Sequence, residues 1–192
     1  MTAQVPDTLA DEGESLVFNQ TGRPFSPESL GLVPVGPNTA LARGFWCGFR
    51  LREKALVLGS LWIGLKGSQQ ALARLGKGPL IAGRLPIANA RGGFRYDDLM
   101  LPCPFSGALL IVRGWNGVQF GRPGPMFFGG VPVATVLTYD FVAEYSFIDG
   151  VLAEVNDLSS VVADLRRFAI AEGSHHEADR RFREHTRFFQ GR

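Results

Sequence analysis

Apolar and polar positions alternate with the period of a β-strand through most of the chain and change to a helical period only near its end. Leu41, Phe45, Cys47, Phe49 and Leu51 share one parity, while Ala42, Gly44, Trp46, Gly48 and Arg50 share the other. A second run places Leu56, Leu58 and Trp62 on one parity and Val57, Leu61, Ile63 and Leu65 on the other. A two-residue turn at Glu53-Lys54 sets Phe45 opposite Trp62, Cys47 opposite Ser60, Phe49 opposite Leu58 and Leu51 opposite Leu56. All four pairs then lie on one face, and burial of that face fixes the register. Residues 105–112 read as a strongly apolar strand, and Trp115-Asn116-Gly117-Val118 carries the residues of a tight hairpin turn. Residues 133–147 form the longest strand pattern, and Asp149-Gly150 turns it back into 151–155.

Shorter elements fill the gaps. Residues 16–18 read as a strand, Ser26-Pro27-Glu28 opens one helical turn with proline at its first position, and 68–75 is a brief helix stopped by Gly76. Residues 78–90 read as a strand bent at Gly83 and Pro86, and 121–132 as a glycine- and proline-rich loop. The period becomes 3.6 at Leu158, Val161, Val162, Leu165, Phe168 and Ala169, with Asp157 as cap and Gly173 as terminator. Ser174-His175-His176-Glu177 then has the form of a capping box, followed by a stripe of Ala178, Phe182, His185 and Phe189. Of the 24 glycines, 19 lie between residues 31 and 130, a distribution that fits turns and bulges rather than helices. The pattern predicts a mainly β, α+β chain: an antiparallel β-sandwich or partly open barrel followed by two C-terminal helices. The expected organisation is a disordered acidic tail over 1–14, a β domain over 15–157, and helices over 158–192 packed on the same domain or exchanged with a second copy.

Composition narrows the functional classes. Hydrophobic residues at 45% and charged residues at 20% are globular values. A net charge of +2 gives no basis for a nucleic-acid partner. Arginine outnumbers lysine 17 to 3, but the basic residues are spread along the chain, which fits a compositional bias better than a phosphate site. Two cysteines, Cys47 and Cys103, define no disulfide framework and point to a reducing compartment. The first fifteen residues carry Asp7, Asp11, Glu12 and Glu14 without lysine or arginine, unlike a secretory signal. Apolar runs end well short of the ~20 residues a spanning helix needs. These readings predict a cytoplasmic protein without a membrane partner.

Candidate chemistry is sparse. His175 and His176 are neighbours, about 100° apart on a helix, and His185 is nine or ten residues on, so no His-x-x-x-His metal pair exists. Gly76-Lys77-Gly78 lacks the earlier glycine and the hydroxyl residue of a phosphate loop. No serine has the flanking glycines of a nucleophile elbow. No metal or cofactor is expected. Asp97, Asp98, Asp140 and Glu144 are the acidic residues on which a hydrolase with a cleft in the sheet would draw. Trp46 shares the second face of the first hairpin with Arg50 and Arg52, and tryptophan with arginine is the composition of interface anchors. Together with Phe182 of the C-terminal apolar stripe, these three are the predicted binding residues.

Trp46-x-Gly48-Phe49, the turn segment Lys54-Ala55-Leu56-Val57-Leu58 and the strand Pro104-Phe105-Ser106-Gly107-Ala108-Leu109-Leu110-Ile111 together resemble an uncharacterised family of bacterial β-rich proteins. The resemblance covers roughly 42–155. It implies a bacterial origin and a β fold but carries no activity and no functional residue. The function expected from the residues is therefore a non-enzymatic binding protein of the immunity type, taking a protein partner or a second copy of itself. The alternative is the carboxylate hydrolase.

Overall fold

The computed structural model describes residues 5–10, 14–19, 22–36, 41–89, 92–116 and 136–187. Its ten strands are β1 (Asp7–Ala10), β2 (Glu14–Asn19), β3 (Phe45–Arg52), β4 (Ala55–Ile63), β5 (Ile87–Ala88), β6 (Phe94–Tyr96), β7 (Leu101–Pro102), β8 (Gly107–Trp115), β9 (Tyr139–Ile148) and β10 (Val151–Asp157). The helices are α1 (Gly67–Arg74), α2 (Ser159–Glu172) and α3 (His175–Glu184), with a 3-10 turn at Pro27–Leu30. The architecture is mainly β. In the order β10-β9-β8-β2-β1-β3-β4, seven strands return on themselves through the Val151↔Ala55 pairing of β10 with β4. Backbone bonds from Leu56 N to Gly150 O (2.7 Å) and from Leu152 N to Lys54 O (2.8 Å) seal that junction. β6 and β5 continue outward from β4 as an edge extension, and β7 also pairs with β4.

The first hairpin forms as the alternation requires, with one instructive difference. Glu53 and Lys54 both take positive φ (51° and 70°), the geometry of a type I′ turn whose twist matches the strands. Leu51 meets Leu56 and Phe49 meets Leu58, as expected. Beyond them the register slips by one residue, because Gly59 is an extra residue opposite the Gly48–Phe49 step. Phe45 therefore faces Ile63 and Cys47 faces Leu61, not Trp62 and Ser60. The bulge lets β4 keep Leu56, Leu58, Leu61 and Ile63 all inward, and it turns Trp62 outward to stand opposite Trp46.

Two apolar clusters hold the fold. Inside the ring, Leu9, Phe45, Phe49, Leu58, Leu61, Ile63 and Leu109 are each no more than 1% exposed. Outside it, α2 and α3 cover the outer face of β8 and β9, where Leu110, Val112 and Val142 meet Val162, Leu165, Ala169, Ala178 and Phe182. Helix α2 ends at Gly173 in the left-handed conformation (φ 62°), as the sequence pattern requires. The buried residues of α3 are Ala178 and Phe182; just past its end Thr186 is buried, whereas His185 is exposed.

Several expectations are corrected. Residues 7–10 are not part of a disordered tail: they form β1, which pairs antiparallel with β2 and parallel with β3, so the sheet is not wholly antiparallel. Leu9 fills the ring interior and Asp7, 4% exposed, is matched by Arg43, which removes the reason for an acidic segment to stay in solvent. Ser174 makes no side-chain cap bond; Glu177 instead accepts from Arg180 and Arg181. Of the strand expected over 78–90, the described residues 78–89 contain the two-residue β5, preceded by the Ile81–Arg84 turn. The turn expected at Gly117-Val118, the loop 121–132, the strand start at 133–135 and Phe189 lie outside the described residues.

Candidate binding face

Because cross-strand partners share a face, the register builds a lateral row on the outside of the sheet. Trp46 of β3 stands opposite Trp62 of β4, Trp62 opposite Arg95 of β6, and Arg95 opposite Ile87 of β5. The row owes its existence to the Gly59 bulge, without which Trp62 would point into the core. Trp62 is 5% exposed and Trp46 half-buried, while Arg95 and Ile87 are open to solvent. Gly93 lets the backbone lie flat against the indole of Trp62: a Cβ there would sit 2.5 Å from its Cζ2, and the residue's φ of +81° favours glycine independently. Next to Arg95 opens a cleft of about 220 Å³ lined by Ile87, Ala88, Asn89 and Arg95, none of them a carboxylate.

Arg50 extends this face along β3, lying across Gly59, where an added Cβ would come within 3.0–3.1 Å of its side chain. It reaches Asp98 at 3.7 Å, and Arg95 reaches Asp97 at 2.9 Å, both in exposed pairs. Arg52, at the turn end of the strand, is exposed. Trp46, Arg50 and Arg52 are thus on one accessible face, together with Arg95 and Ile87, which reasoning from the sequence did not single out. The missing signal was the bulge, since only the shifted register connects β6 and β5 to the tryptophans. Phe182 is not on this face. It is fully buried against α2, β8 and β9 of its own chain, so it offers no surface to a partner and no exposed stripe for exchange between copies.

Each of the four acidic candidates is already engaged. Asp97 and Asp98 follow β6 and pair with arginines; Asp140 opens β9 and pairs with Arg166 at 3.3 Å. Glu144 is 2% exposed and accepts from the Thr186 hydroxyl beneath the end of α3. A fifth carboxylate, Asp7, is equally buried and accepts from Arg43 Nη1 (3.2 Å), from Arg43 Nη2 and from Cys47 N (2.7 Å). Burial pushes its pKa up, and Arg43 and the Cys47 amide only partly oppose this. The Arg43 guanidinium also lies 5.0 Å from the Phe45 ring centroid. Asp7 is therefore engaged in fastening β1 and the 41–44 segment to β3.

Cys47 and Cys103 are free thiols, 1% and 2% exposed. Burial raises both pKa values, that of Cys103 to about 11, so neither has the thiolate character of a nucleophile. Among the described residues, no three His, Cys, Asp or Glu side chains gather as metal ligands, and no helix is long and apolar enough to cross a membrane. Comparison with family models, with curated proteins and with solved structures found no match.

Proposed function

We propose that this chain is a non-enzymatic binding protein of the bacterial cytoplasm, of the immunity type, which takes a protein partner on the outer β3-β4-β6-β5 face. The observation that carries this reading is the row Trp46–Trp62–Arg95–Ile87. Two indoles on directly opposite cross-strand positions supply apolar anchors, and the guanidinium groups along the same face supply directional donors around them. Tryptophan and arginine dominate the energetics of known interfaces for these reasons. The cleft beside Arg95, about 220 Å³, is smaller than the ~300–1,000 Å³ typical of small-molecule sites, which suits a protein surface better than a small substrate. The hydrolase reading has less support, because each of its carboxylates is already paired with an arginine or covered.

The test begins with partner capture from native lysate, followed by affinity measurement with Arg52→Glu and Ile87→Asp. Both residues are exposed, so the fold should tolerate the changes, which circular dichroism and melting would verify. A partner whose affinity falls at least about thirtyfold with either variant, the loss expected at an anchor position, supports the reading. A partner bound equally by both variants refutes the assigned face. Sedimentation velocity distinguishes a foreign partner from a second copy.

A further inference from the structure

Residues 66–88 leave the ring between β4 and β6 as a lobe made of α1, two turns and β5. Buried Ala73 and Ile81, the close packing of Gly78 on Pro86, and the Tyr96 hydroxyl donating to Pro79 O at 2.9 Å hold it to the barrel. What the lobe leaves outside is unusual. Leu72, Leu75, Leu80, Leu85 and Ile87 are 45%, 72%, 66%, 46% and 55% exposed. Single exposed leucines need no explanation, but five large aliphatic side chains within the 72–87 stretch do.

Exposed cations are interleaved with them: Lys66, Arg74, Lys77 and Arg84, with which no described carboxylate pairs. The chain as a whole is nearly neutral, yet none of its 18 acidic residues falls within 54–96, which holds 7 of its 20 basic ones. The lobe is thus both apolar and locally cationic.

We propose that this lobe docks on an anionic lipid bilayer surface. The leucines stand out near turns made by Gly76 (φ +69°) and Gly83 (φ +75°) instead of lining a groove, so they suit a medium that can receive protruding side chains. Aliphatic tips enter the headgroup–acyl boundary while ammonium and guanidinium groups meet lipid phosphates. A nucleic acid would use the cations but leave the leucines without a role, and an uncharged apolar partner would do the reverse. Docking of this kind needs no spanning segment. It involves different residues from the Trp46–Arg95 row apart from Ile87, and it does not rest on the protein-binding reading.

The experiment is co-sedimentation of the full chain with phosphatidylcholine vesicles, with and without phosphatidylglycerol, at low and high salt. The expected result is binding that requires phosphatidylglycerol and weakens with salt. The double variant Arg74→Gln/Lys77→Gln should bind about thirtyfold more weakly, from the contribution of each cation near a charged bilayer. The double variant Leu75→Ser/Leu80→Ser should lose ~tenfold or more per leucine. All four positions are exposed, and unchanged melting would establish that both variants fold. No binding to phosphatidylglycerol vesicles, equal binding to neutral ones, or full binding by the leucine variant each overturns the proposal. Because Trp46 and Arg95 are untouched in these variants, such a failure leaves the protein-binding reading in place.

Discussion

Replacing Phe182 with alanine tests how α3 is held. The ring is fully buried, in a cluster with Leu110, Val112, Val142, Val162 and Leu165. Truncating a buried phenylalanine costs about 3–5 kcal/mol, the sum of lost transfer free energy and the cavity left behind. For a chain of this size each kcal/mol moves Tm by ~2–4 °C, so a cooperative loss lowers it by about 6–20 °C. A helix of ten residues is marginal by itself, and Phe182 is the larger of the two buried side chains of α3, the other being Ala178. The cost should therefore fall first on α3, as local opening. Calorimetry reports the fall in Tm, and hydrogen exchange by mass spectrometry reports faster exchange over 175–184 than over β3 and β4. A Tm within about 2 °C of the parent, with exchange of 175–184 unchanged, would refute the docking of this helix on its own sheet.

Other consequences follow from the backbone and from buried groups. Gly150→Ala should destabilise by about 2–4 kcal/mol, since its φ is +79° and a Cβ would sit 2.4 Å from Cys103 O at the junction of the ring; Lys54→Gly, at φ 70°, should instead stabilise by up to ~1 kcal/mol. Urea midpoints of both variants check the pair, and equal shifts would contradict it. Asp7 has a folded pKa raised above its usual 3.8, so its ionised form is disfavoured in the fold. Its contribution to stability is full below that value and is lost as pH rises through the raised one. The stability of the parent relative to Asp7→Asn should thus improve as pH falls through that window, and a pH-independent difference between their urea midpoints would contradict this. With burial raising its pKa to about 11, Cys103, like Cys47, should resist a thiol reagent at mildly alkaline pH until the chain is unfolded. Rapid stoichiometric labelling of the native protein would contradict that.

The turns and periods of the sequence carried much of the fold. Glu53-Lys54 and Asp149-Gly150 sit where two alternating runs meet, and local chemistry is enough to place such hairpins. The change of period at Leu158 and the glycine at 173 place α2 for the same reason. What local pattern could not supply was the consequence of one residue. Gly59 looks like any other strand glycine, yet as the bulge it reverses the facing of Trp62 and creates the candidate row. The β1 strand was hidden in a different way. Asp7 reads as solvated until Arg43, distant in sequence, is brought against it by the fold. Phe182 was correctly placed on an apolar stripe, but whether such a stripe faces a partner or its own sheet depends on tertiary packing. Past the end of α3 it is Thr186 and not His185 that is buried, where Glu144 supplies an acceptor for its hydroxyl.

The most direct test of the central claim is parallel capture from the same native lysate with the parent chain and with Arg52→Glu/Ile87→Asp, both verified as folded. The account predicts a saturable protein partner on the parent that is lost from the variant. Equal capture by both, or a partnerless monomer that turns over an ester or phosphate substrate, would contradict it.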